Sequence, residues 1–257
     1  MENIKFIDLA IDAAVKAGNY AKKRKGSIKK ISYKGDINLV TDVDKKCEEL
    51  IVNLIKKYNP THRILSEEGY RDRATAGYRW IIDPLDGTTN FAHGLPVYSV
   101  SIALEENGKI VVGVVYNPEA GELFTSEVNK GARLNNKKIH VSKINKLDKA
   151  LLATGFAYDI KHTAKDNVLY FTKFLKIAQA VRRLGSAALD LCYVACGRFD
   201  GFWEMNLHPW DSAAAMLIVN EAGGRVTTFN NSTYTPFDKE ILATNSKIHD
   251  EMVKILN

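Results

Sequence analysis

Apolar residues recur at helical spacing over residues 4–24 and again over 42–57, where Val43, Cys47, Leu50, Ile51, Leu54 and Ile55 form one stripe. Both segments read as amphipathic helices. The polar stretch SYKGDINLVT between them, with Gly35, reads as a mobile loop or a loose hairpin. From Trp80 the pattern changes to that of strands. The run from Tyr98 to Pro118 divides into two strand-like halves at the turn ENGK, and GELFTSE and IHVSK extend the meander around a second turn at Asn135-Asn136.

Beyond Asp148 helical and strand patterns alternate. ALLATGF reads as a buried strand, 166–178 as a helix, 180–184 as a strand and 186–196 as a helix of small residues. FDGFWEM, GGRVTTF and EILATNS read as strands, separated by the helix DSAAAMLIVNEAGG with its glycine stop and closed by the helix KIHDEMVKIL. The pattern predicts an N-terminal α+β sub-domain over residues 1–145 and a C-terminal α/β sub-domain over 146–257, joined near 143–150. No internal repeat or low-complexity tract interrupts them.

Composition narrows the class. Hydrophobic residues make up 46% of the 257 positions, enough for a large core. The net charge of +6 comes from 36 basic and 30 acidic residues and is concentrated in part over residues 22–34. It reads as a solvated lysine-rich surface, so a nucleic-acid partner is not expected. Cys47, Cys192 and Cys196 form no CxxC motif, which points away from a disulfide framework and toward a reducing cytoplasm. No apolar run approaches the ~20 residues of a membrane span, and the acid-containing N-terminal helix does not read as a signal peptide.

The candidate chemistry lies in WIIDPLDGTTNF, from Trp80 to Phe91. Asp83 and Asp86 sit three residues apart at the end of a buried run. One reading is structural: Asp83 accepts turn amides and Asp86 caps a helix beginning near Thr88. The other is a cation between two carboxylates that would otherwise repel, beside an anion site at the backbone N–H groups of Gly87, Thr88 and Thr89. Further acids recur in ILSEEG (Glu67, Glu68), in PWD (Asp211) and in LVTDVD (Asp42, Asp44), where helix capping is again the alternative. Of Glu67 and Glu68, adjacent on extended chain, only one can face a common site. No serine, cysteine or histidine carries an activating partner of its own, and His93 and His208 read as packing residues near the motifs.

These motifs, in this order and with EAGG downstream, resemble the inositol monophosphatase family of Mg²⁺-dependent, lithium-sensitive phosphatases, over roughly residues 6–255. The resemblance implies a layered αβαβα sandwich and two or three Mg²⁺ ions per site. It implies that Glu67, Asp83 and the carbonyl of Leu85 hold a first ion, and that Asp83, Asp86 and Asp211 hold a second, with Glu67 helping to hold a weaker third. Gly87 and Thr88 would receive the phosphate, and Asp44 would bond Thr88 so that the pair positions the attacking water. Glu204 would accept substrate hydroxyls, Ser186 would line the pocket, and Arg183 would contribute there too. The implied reaction is two-metal hydrolysis without a covalent enzyme intermediate.

The expected substrate is a phosphorylated small polyol, myo-inositol 1-phosphate first. Fructose 1,6-bisphosphate, alone or as a second substrate, adenosine 3′,5′-bisphosphate and histidinol phosphate are alternatives within the superfamily. The short segment 69–78 leaves little room for a substrate-capping insertion. A homodimer is expected by family resemblance. The rival of another class is a protein that binds RNA or the transcription machinery.

Overall fold

Small side chains shape the outermost helical layer. The computed structural model describes residues 4–27, 31–33, 39–71, 77–157, 160 and 166–257, and helix α1 (Phe6–Arg24) buries Leu9, five alanines and Gly18 along one face. A Cβ on Gly18 would lie 2.6 Å from the ring of Tyr116, so glycine is what lets α1 lie close on the sheet. Short strands β1 (Ile31–Tyr33) and β2 (Leu39–Thr41) pair antiparallel, as a loose hairpin would. Gly35 and part of the basic cluster, residues 28–30 and 34, lie outside the described residues. Helix α2 (Asp42–Tyr58) packs on α1 and begins in a reciprocal cap, with Thr41 and Asp44 satisfying each other's backbone neighbourhood.

Beneath these helices lies a seven-stranded sheet of β3 (Arg63–Ser66), β4 (Tyr78–Asp86), β5 (Ser99–Glu106), β6 (Lys109–Asn117), β7 (Glu122–Glu127), β8 (Ala132–Leu134) and β9 (Lys137–Lys138), in that spatial order. Only the β3–β4 pair is parallel. Both faces are buried, and the period of two sorts neighbours to opposite sides. Trp80, Ile82, Ile102 and Val114 face α1 and α2, whereas Ile81, Ala103 and Val115 face the other way.

That second face is covered by α5 (Ala187–Ala195) and α6 (Pro209–Glu221), which lie between the two sheets. A Cβ on Gly113 would collide with the Ala214 carbonyl oxygen, so α6 reaches the β6 backbone only over glycine. The second sheet has the order β11 (Ala180–Arg182), β10 (Leu151–Thr154), β12 (Gly201–Met205), β14 (Glu240–Thr244), β13 (Arg225–Thr227). Its far face packs Leu152, Trp203 and Leu242 against Phe174 of α4 (Val168–Ile177) and Met252 of α7 (His249–Leu256). The layers therefore run αβαβα.

The segment IHVSK, expected as a strand, is an extended connector. Ile139 donates to Ala132, and Val141 donates to the Ala222 carbonyl beyond α6, which diverts the chain from the sheet toward the second half. The strand expected over 180–184 ends at Arg182, and GGRVTTF keeps ladder pairing only over Arg225–Thr227.

Candidate active site

The run Trp80-Ile81-Ile82 drives β4 into the core and delivers Asp83 to its inner end. Pairing with β5 does not stop there, as the apolar pattern suggests. It resumes at Asp86, opposite Ser99, after a register shift over Pro84 and Leu85. The shift folds the Asp83 carboxylate back onto the Leu85 N–H at 2.9 Å. Gly87 follows in the left-handed region at φ 88°, where a Cβ would lie 2.9 Å from the Val97 carbonyl oxygen. That turn starts the short helix α3 (Thr88–Ala92).

The structural reading of the two acids is half right, since Asp83 accepts a turn N–H as that reading has it. Asp86 does not cap α3. It reaches across to the second half of the chain, where it accepts the Ser186 hydroxyl and, at 3.0 Å, the Ala188 N–H at the start of α5. Asn90 of α3 makes a second crossing, donating to the Val97 carbonyl at 2.8 Å and the Leu184 carbonyl at 2.7 Å. Asp211 is the third residue of α6, and its carboxylate accepts the His208 N–H at 2.6 Å. Glu67 follows β3 and donates its N–H to the Ile82 carbonyl, prolonging the parallel ladder to a point beside Asp83. His208 stacks on Trp210, His93 closes α3, and Asp42 faces Arg24.

Asp44 is fully buried under this turn. It accepts the Thr41 N–H and hydroxyl on one oxygen and the Thr88 hydroxyl, at 2.9 Å, on the other. Thr88 sits equally close, 2.9 Å, to the Leu85 carbonyl oxygen.

Glu67, Asp83, Asp86 and Asp211 form one electrostatic unit. Burial pushes all three aspartates up, Asp86 to about 6 and Asp83 and Asp211 well above the usual range, and the charge of Glu67 adds to each. Asp44 is raised to about 6 by burial, with Glu67 a smaller contribution. Among the described residues no three acidic side chains already converge on one ion position, because each aspartate is turned onto a backbone N–H or hydroxyl. The donor set nonetheless fits a hard divalent cation. It consists of carboxylate and carbonyl oxygens, Asp83, Leu85 and Asp86 are buried while Glu67 and Asp211 are half-buried, and its like charges oppose one another unless a cation lies among them.

Next to this unit a pocket of about 80 Å³ is lined by Asp86, Asp211, Ser186, Arg183 and Glu204, among others. Glu204, on β12, is buried and pushed up to about 8 by burial, against the opposing charge of Arg183. A Cβ on Gly155 would collide with its Oε1, so glycine makes room for this carboxylate. Gly155 and Asp190, which line the pocket, and Asn90, which ties α3 to Leu184, escape the sequence reading. Asp190 alone leaves a signal, an acid inside the apolar AALDLC.

The inositol monophosphatase family model matches residues 2–257 of this chain. The chain is 46% identical to an inositol-1-monophosphatase of Synechocystis sp., over 98% of this chain and 88% of the relative. It is 42% identical to a putative Nus factor SuhB of Neisseria meningitidis, over 98% of both. Among solved structures, an inositol monophosphatase of Anabaena sp. superposes with a TM-score of 0.90 at 42% identity, covering 98% of this chain and 94% of that one.

Proposed function

Because the chain belongs to the inositol monophosphatase family, we propose that this phosphatase hydrolyses the monophosphate of a small polyol, myo-inositol 1-phosphate first, with Mg²⁺ as its cofactor. The observation that carries the reading is the mutual repulsion of four acids, Glu67, Asp83, Asp86 and Asp211, two of which, Asp86 and Asp211, line a pocket that Glu204 also lines. Fructose 1,6-bisphosphate is the nearest alternative substrate.

Glu67, Asp83, Asp86, Asp211 and the Leu85 carbonyl would hold the ions, two or three in number. Bound Mg²⁺ supplies Lewis-acid activation of water and neutralisation of phosphate charge. The chain's own residues do the rest. Gly87 and Thr88 present the start of α3 to the phosphate. The Asp44 carboxylate holds the Thr88 hydroxyl, and a water that donates to that oxygen is aimed at phosphorus. Glu204 accepts a leaving-group hydroxyl, while Ser186 fixes Asp86 and thereby the near wall of the pocket. No side chain is placed as a covalent nucleophile in this reading. Lithium inhibition uncompetitive with substrate is its companion expectation.

A homodimer is supported by α4, which leaves Val168, Leu169, Leu175 and Ile177 exposed beside the edge strand β11. A cytoplasmic setting accords with the three unpaired thiols. No helix among the described residues is long and apolar enough to cross a membrane. A second reading, binding to the transcription machinery, rests on the Neisseria relative's name. Such binding would persist in Asp83→Asn.

Phosphate release from a panel of phosphomonoesters in the presence of Mg²⁺ tests the reading. Polyol monophosphates should lead the series. A preference for nucleotides or bisphosphates would overturn the substrate.

A further inference from the structure

Asp190 lines the same pocket and takes no part in the chemistry proposed for it. It is the fourth residue of α5 and is only 1% exposed, and its Oδ1 has no hydrogen-bond partner. The donors nearby in the chain are committed elsewhere: the Ser186 hydroxyl and the Ala188 N–H go to Asp86, and the Leu189 N–H goes to Ser186. Arg183 is the cation whose field reaches Asp190, and it is exposed and shared with Glu204. A buried carboxylate oxygen without a donor destabilises the fold, and a leucine or asparagine would serve packing better. A ligand hydroxyl in the pocket would satisfy it.

We propose that Asp190 is a specificity-determining residue, which with Glu204 forms a two-acceptor wall that takes the hydroxyl donors of a neutral polyol and repels a second phosphate. The inference rests on the phosphomonoesterase reading and deepens it. A polyol monophosphate brings one anionic group, to the metal side of the pocket, and donors to the wall. A bisphosphate brings a second anion to two acids that burial and neighbouring carboxyl charge already hold back from ionising, which opposes their ionisation further and leaves it one exposed arginine as a donor.

The test uses Asp190→Asn, which keeps shape and removes charge, and Asp190→Ser as a smaller second variant. Each is assayed with Mg²⁺ on myo-inositol 1-phosphate, fructose 1,6-bisphosphate and p-nitrophenyl phosphate, and each is melted. Removing one charge-assisted hydrogen bond should lower kcat/KM for inositol 1-phosphate about ten-fold, chiefly through KM, while p-nitrophenyl phosphate changes by less than about two-fold. The bisphosphate should be unchanged or gain, and Tm should hold or rise by about 2–4 °C, as expected when an unpartnered buried carboxyl leaves a chain of this size. Equal losses on all three substrates with a lower Tm would show a packing role and overturn the proposal. So would an unchanged substrate ratio. If the wild type discriminates among the three and the variants retain its ratio, the Asp190 assignment alone fails. If the wild type cleaves p-nitrophenyl phosphate and no polyol phosphate, the polyol reading fails and takes this inference with it.

Discussion

The Thr88 hydroxyl lies 2.9 Å from a carboxylate oxygen of Asp44, and 2.9 Å from the Leu85 carbonyl oxygen. A hydroxyl has one hydrogen to give, so it serves one of these acceptors at a time and keeps its lone pairs for a donor such as water. Thr88→Val should keep the volume, lose the hydroxyl and lower kcat by about 10²-fold, as for loss of a positioned proton acceptor, whereas Thr88→Ser should stay within about ten-fold. Steady-state kinetics with circular dichroism as a folding control decide it. A fully active Thr88→Val would remove the pair from the mechanism.

Metal removal should be equally plain. EDTA should abolish turnover and added Mg²⁺ restore it, since the proposed ligands are all hard oxygens. Asp83→Asn should lower kcat by at least ~10³-fold, because in the proposed reading that carboxylate serves two ions. Calorimetric titration of Mg²⁺ provides a readout independent of turnover. Near-normal Mg²⁺ affinity and kcat in Asp83→Asn would place the ions elsewhere.

Glu204 should separate substrate reading from catalysis. Glu204→Gln is expected to lower kcat/KM for inositol 1-phosphate by about ten- to a hundred-fold, the equivalent of one charge-assisted hydrogen bond of roughly 1.5–3 kcal/mol. Hydrolysis of p-nitrophenyl phosphate should change far less, since its leaving group has no hydroxyl. Matching losses on both substrates would assign Glu204 to the metal site or the fold.

His249 makes stability depend on pH. It is fully buried, with Thr227 at 3.0 Å from one ring nitrogen and Thr244 at 2.9 Å from the other. Burial lowers its pKa from the ordinary 6.5 to about 4. The unfolded chain therefore binds this proton first on acidification. The stability contribution is complete above about pH 6.5 and is lost as the pH falls toward about 4, by roughly 3 kcal/mol at most. Urea unfolding of wild type and His249→Gln at several pH values should show the difference between them shrinking with acid. A constant difference would contradict it.

The exposed face of α4 supplies a prediction on assembly. Leu169 is 73% and Leu175 56% exposed. If a second copy covers them, Leu169→Asp with Leu175→Asp should shift sedimentation from dimer to monomer while circular dichroism stays the same. A wild type that already sediments as a monomer would dismiss the dimer.

Much of the fold and the site is legible along the chain because its cause is local. Asn107 and Gly108 take φ of 50° and 82°, the geometry that Asn-Gly between two alternating runs calls for. Asp83 and Asp86 announce themselves because acids at the end of a buried run need a reason. What escapes depends on meetings across the fold. Asn90 looks like any helix-start polar residue until Leu184, 94 positions away, presents its carbonyl. Gly155 reads as a turn residue until Glu204 takes the space of its missing side chain. IHVSK alternates as a strand does, yet after Ile139 it leaves the sheet and Val141 donates to the carbonyl of Ala222 just past α6.

The helical layer between the sheets has a consequence for how the chain is made. The first sheet is complete at Lys138, but α5 and α6, which cover its inner face, are not translated until residues 187–221. A nascent chain thus carries Ile81, Ala103, Val115 and Phe124 uncovered while ribosomes add the intervening length. A fragment ending at residue 145 should bind a hydrophobic dye and co-purify with holdase chaperones, and one that is compact and dye-negative would contradict this. Termination anywhere before α6 also omits Asp211, a proposed metal ligand, so on that reading quality control that removes such fragments discards no partial activity.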